Sequence, residues 1–111
     1  MEAPKVGKSP PSKNALEDGT DVWKLCEAIA FHETKSGKHT IAKNNWHNIM
    51  TWDRGYREGK SYASPEESQK DCVRIWRTYY KKFPDYQLAD RYTGGDNVWG
   101  WLATVKQKYT E

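Results

Sequence analysis

The sequence predicts a mainly α-helical domain, of α+β type only in that a short irregular or β-hairpin insertion follows the first helix. Three observations carry this. Three segments place apolar residues at helical period, residues 38–63 lack that period, and six Trp and seven Tyr stand in for scarce aliphatics. Leu, Ile, Val and Phe total only 15 of 111 residues, a level common in disordered chains. A net charge of only +3 and the many large rings argue for a folded domain instead. The length suits one domain, and its core must be aromatic-rich.

Residues 1–14 contain Pro4, Pro10, Pro11 and three Lys with almost nothing apolar, and read as a disordered leader or linker. The domain is expected over 15–111. Lys5, Lys8 and Lys13 against Glu2 place +2 of the charge in the leader, so the rest carries only +1. That is a weak basis for binding a polyanion. The longest apolar run, Ala28 to Phe31, is far too short for a membrane span, and no signal-peptide stretch is present.

The first helix starts at Thr20 or Asp21 and runs to about Thr34. Val22, Leu25, Cys26, Ile29 and Ala30 form one face, and Gly37 suits a left-handed turn beyond the end. In the insertion, Ile49 to Trp52 reads as a short strand, Asp53-Arg54-Gly55 as a turn, and Lys60 to Ala63 as a returning strand. Ser64, Pro65 and Glu67 form a helix start with a capping box. Cys72, Val73, Trp76, Tyr79, Tyr80 and Phe83 follow at helical spacing, and Pro84 closes the segment. A short helix over Tyr86 to Arg91 is broken by Gly94-Gly95. The last helix runs from about Asp96 to Tyr109, with Val98, Trp101, Leu102, Val105 and Tyr109 on one face. Cys26 and Cys72 fall on the apolar sides of two helices, where free core thiols are the favoured expectation and a single bridge the alternative.

Glu33 stands out chemically. It continues the apolar stripe of the first helix, so its carboxylate points inward, and it lies in the last turn, where the helix dipole disfavours negative charge. Burial and dipole both disfavour the charged form, which suits a general acid. The plainer alternative is a Glu on a frayed turn bending into water.

The neighbours give this context. Glu33-Thr34 ends an apolar helix, Asn44-Asn45-Trp46-His47-Asn48-Ile49-Met50 follows, and Tyr92-Thr93-Gly94-Gly95 leads into the last helix. In this order the segments resemble the lysozyme-like superfamily, nearest to lytic transglycosylases, goose-type lysozymes and peptidoglycan glucosaminidases. The stretch Tyr62 to Ser68 before an aromatic helix is similar to the glucosaminidase pattern, and the resemblance covers roughly residues 21–109. Two positions depart from it. Asn48 stands where a Gly precedes Ile-Met, and Asn is the next-best residue for positive φ; Thr93 stands where the family has Asn.

The resemblance implies a lysozyme-like fold and cleavage of the β-1,4 amino-sugar backbone of peptidoglycan, with Glu33 protonating the glycosidic oxygen and no cofactor or metal. It implies Tyr92 as the residue that positions or polarises the sugar, and attack by the substrate's own acetamido group. Asp53 or Glu58 could supply a second carboxylate, although Asp53 also reads as a turn-former. Thr34, Asn48, Ile49 and Met50 are the expected cleft segment. Trp46, Trp52, Tyr56 and Tyr62 are the expected sugar platforms, each with a core role as its alternative. Trp76 and Trp101 belong to the core, and Trp99 to the surface. The expected partner is the glycan strand, bound by a monomer that is secreted, periplasmic or attached to the cell wall, including a phage-encoded form.

Other constellations are weaker. His32-Glu33 with His39 fails the zinc-protease spacing because position 36 is Ser. Lys70, Arg74, Arg77 and Lys81 form a basic stripe, read as a solvated face. The competing functions are a non-catalytic glycan-binding module and, less favoured, a small nucleic-acid-binding domain using that stripe.

Overall fold

The computed structural model describes residues 14–53 and 56–111, the side chains at 52, 53, 56 and 57 lying outside the description. The expected leader therefore falls almost wholly outside the described residues. Four α-helices and one two-stranded sheet appear among them: α1 (Val22–Thr34), β1 (Met50–Asp53), β2 (Tyr56–Gly59), α2 (Pro65–Ile75), α3 (Tyr86–Thr93) and α4 (Val98–Thr110). The mainly α expectation holds. No helix among the described residues is long and apolar enough to cross a membrane.

Helix α1 begins where Asp21 accepts a hydrogen bond from the Lys24 amide. It ends with Lys35 in the left-handed region at φ 55°, two residues earlier than the expected Gly37 turn. Gly37 does have positive φ, 95°, and a Cβ there would lie 2.3 Å from the Trp46 indole. The glycine is required because the ring lies against its backbone.

The hairpin pairs Met50 with Gly59 and Asp53 with Tyr56. Its returning strand comes earlier than the expected Lys60–Ala63, with Tyr56 paired directly opposite Asp53, and Arg54-Gly55 of the expected turn lie outside the described residues. Ser64 caps α2 as expected, accepting from the Glu67 amide, and Pro65 takes the first turn. After Ile75 the helix widens into a π-turn, Trp76–Tyr80, closed by Lys81 at φ 70°. This wider turn brings Tyr80 onto Trp76, ring centroids 4.4 Å apart, and leaves Tyr79, expected on the apolar face, 66% exposed.

Helix α4 runs antiparallel to α1. At one end the Asp21 amide donates to the Tyr109 hydroxyl at 2.9 Å, and at the other the Trp101 indole reaches Glu33. Val22, Leu25, Ile29, Trp76, Trp101 and Val105 are buried between the helices. The rings of Trp76, Tyr80, Tyr92 and Trp101 cluster with centroids 4.4–6.5 Å apart. Such pairs add about 0.5–1.5 kcal/mol each beyond their buried area, which is how a chain poor in aliphatics gains a core.

The expectation of free thiols is overturned: Cys26 and Cys72 form a disulfide, with Cα atoms 6.0 Å apart. Both lie on the stripes by which α1 and α2 face each other, so the packing that buries them also brings them together. Trp76 and Trp101 are buried and Trp99 is 71% exposed, as expected. The basic stripe is solvent-facing, with Arg74 2.7 Å from Asp71 and Lys70 3.6 Å from Glu67.

Candidate active site

A cleft of about 320 Å³ opens at the C-terminal end of α1, between that end, the loop before β1 and the junction of α3 with α4. Glu33 lines it and is half-buried, not sealed away. Asn48 Nδ2 donates to Glu33 Oε1 at 2.8 Å, and Trp101 Nε1 donates to Glu33 Oε2 at 2.6 Å. Each oxygen keeps a further lone pair, so a proton on either leaves its existing hydrogen bond intact.

The loop that carries Asn48 is shaped by asparagines. Asn45, fully buried, donates through Nδ2 to the Ile49 carbonyl at 2.8 Å and accepts from the Ile49 amide at 3.0 Å. The side chain thus closes the chain on itself, and Asn48 takes φ 54° at the apex. Asn44, also at positive φ, donates to the Tyr62 carbonyl at 3.0 Å. The positive φ expected at Asn48 is observed.

Behind this loop lies a polar network that local spacing does not reveal. His47 Nδ1 is 2.5 Å from Ser68 Oγ, and Nε2 is 2.7 Å from Gln69 Oε1. Gln69 Nε2 donates to the Trp23 carbonyl at 2.9 Å, which orients the amide oxygen toward the imidazole. His47 therefore donates through Nε2 and accepts the Ser68 hydroxyl at Nδ1. Burial pushes His47 down to about 4, against the Gln69 hydrogen bond and the nearby Asp71 charge, which favour the cation. With Ser68 fully buried and His47 at 1% exposure, no substrate reaches this pair. Its role is to tie the loop to α2.

Tyr92 lines the cleft and donates its hydroxyl to the His47 carbonyl at 2.7 Å. Burial first, then the Glu33 charge, hold the phenol well above its ordinary value, so it stays protonated. Its donor is committed to the loop, so a polarising role does not fit this geometry. Positioning, through the ring and the oxygen lone pairs, does.

The expected site residues divide. Glu33, Asn48, Met50 and Tyr92 meet in one cleft. Thr34 is 1% exposed, with its hydroxyl donating to the Trp46 carbonyl at 2.7 Å and accepting from the Gly37 amide at 2.9 Å, so it builds the turn and is not available to substrate. Ile49 is core, 5% exposed, because alternate loop residues face opposite sides. Trp46 lines a different groove, beyond His47. Tyr62 points toward α2, where its hydroxyl donates to Asp71 at 2.5 Å; the same carboxylate takes Lys60 at 3.2 Å. Although burial opposes it, the hydrogen bonds from Tyr62, Arg74 and Lys60 hold Asp71 below the usual carboxylate range. The side chains of Asp53, Trp52 and Tyr56 lie outside the described residues. Glu58 is exposed and does not line the cleft.

Sequence reasoning missed four cleft residues: His32, Ile41, Asp96 and Asn97. It also placed Trp101 in the core, correctly, without seeing that the indole N–H faces Glu33. A buried Trp needs a partner for that N–H, and the inward Glu33 was the signal that could have found it. Among the described residues no cluster of His, Cys, Asp and Glu could hold a metal ion. Comparison with protein-family models, with curated proteins and with solved structures finds no match to this chain.

Proposed function

We propose that this chain is a peptidoglycan glycosidase of lysozyme, lytic transglycosylase or glucosaminidase type, with Glu33 as general acid. The observation that carries the reading is a half-buried carboxyl at a helix end, gripped by two side-chain donors and facing a polar cleft. Each oxygen takes one donor, which leaves a lone pair on each for a substrate in the cleft that Glu33 lines. Glu33 protonates the oxygen leaving the anomeric carbon, the glycosidic C–O bond breaks, and the substrate's acetamido oxygen bonds to that carbon. The anionic Glu33 then takes a proton from the incoming water or sugar hydroxyl. Asp96 is the second carboxylate among the described residues lining the cleft, and we assign it the part of steadying the charge that builds on the sugar. The disulfide supports an oxidising setting, so we place the protein outside the cytoplasm: secreted, periplasmic or on the cell wall.

Clearing of a cell-wall suspension tests this. The parent chain is expected to release reducing or anhydro sugar ends, and Glu33→Gln to slow release by about 10²–10⁴-fold with its fold intact by circular dichroism. Equal rates for the two proteins refute the assignment. One observation favours a second reading, a wall-binding module: both Glu33 oxygens are already occupied by donors, as in a carboxylate that merely shapes a cleft. That protein would sediment with walls and release no sugar ends.

A further inference from the structure

A second groove, about 270 Å³, lies along another flank of α1, away from Glu33. Trp23 and Trp46 supply its aromatic walls, Pro65 and Ala30 further apolar surface, and Glu27 and Glu66 its charge. Trp23 is 39% exposed although it is the largest side-chain type, and its carbonyl is pinned by Gln69. The Trp46 indole rests on the backbone of Gly37, which braces the ring. No ion pair involves Glu27 or Glu66 among the described residues. The imidazole lining the groove, His47, is buried and neutral, so among the described residues that line it no cation offsets the two carboxylates.

We propose that this groove binds the side-chain ammonium of a lysine-type residue in a peptide. Indole faces attract cations, and a four-carbon stem matches their apolar surface. Two carboxylates ask for hydrogen-bond donors, which a primary ammonium has and a quaternary one lacks. A volume of about 270 Å³ admits an extended lysine side chain. The site is separate from the Glu33 cleft and does not depend on what that cleft does.

The test is a titration of the ¹⁵N-labelled full chain with Nα-acetyl-lysine methylamide, followed at the Trp23 and Trp46 indole N–H signals. A saturable shift confined to those two indoles is expected, weakened about tenfold in Glu27→Gln/Glu66→Gln. Both glutamates are exposed, so the variant should fold, and its undisturbed spectrum checks this. Glu33→Gln is expected to bind as the parent does, which separates this site from the proposed active site. Three results each overturn the proposal: no saturable shift, equal shifts with the norleucine analogue, or unchanged affinity in the double variant. A trimethylammonium analogue that binds as tightly as the amine overturns the assignment to a primary ammonium.

Discussion

Acidification should destabilise the fold through His47 before the carboxylates respond. In the folded chain His47 is held at about 4 by burial, while in the unfolded chain it returns to its ordinary 6.5. A group depressed on folding stabilises the native state above its unfolded value, and that contribution is lost as pH falls toward the folded one. The window is therefore pH 6.5 to about 4. A gap of 2.5 pH units at about 1.4 kcal/mol each corresponds to about 3 kcal/mol, a large share of the stability of so small a domain. Asp71, Asp18 and Asp85, all held below 3.8, add their losses at still lower pH, so the two regimes separate. Urea unfolding of the oxidised protein from pH 7 to 4.5 measures the slope, and His47→Gln isolates it. The variant is expected to be less stable at pH 7 and flatter with pH, so that the two curves converge. Curves that fall in parallel between pH 6.5 and 4.5 refute the reasoning, since the loss then belongs to other groups.

Reducing the disulfide, or replacing Cys26 and Cys72 by Ser, opens a loop of 46 residues and should cost about 4 kcal/mol, lowering Tm by roughly 15 °C; an unchanged melt under reductant refutes this. Trp101→Phe keeps a ring in the cluster and removes the donor to Glu33, so wall clearing should fall about 10–100-fold with only a modest loss of stability. Asn48→Gly retains the left-handed backbone and Asn48→Ala does not, so the Ala variant should be about 1 kcal/mol less stable while both clear walls equally slowly. Equal melting of the two variants would show that the backbone conformation at position 48 carries no strain.

Helices were legible because each reports itself locally. The Asp21 and Ser64 caps, the Val22-to-Ile29 stripe and the Gly94 stop need only a few neighbouring residues, and all appear where the pattern places them. Glu33 was legible as an inward-facing acid for the same reason, since three or four turns of a stripe define a direction. The hairpin was less so: register depends on the turn, and a shift of a few residues moved the returning strand from Lys60–Ala63 to Tyr56–Gly59. Tyr79 failed because a π-turn changes the period within a single helix.

The amino-acid order alone determined the helical class, the aromatic core, the surface position of Trp99 and the candidacy of Glu33. Which side chains surround that carboxylate was decided only in three dimensions. Trp101 lies 68 residues from it in sequence and Asn48 15, and a contact across such gaps follows from how helices pack, not from any local period. The same packing joined Cys26 to Cys72 and set Trp46 on the far side of His47, away from the cleft. Local periodicity gives a residue's direction, whereas its partner is set by the element on the other side of the interface.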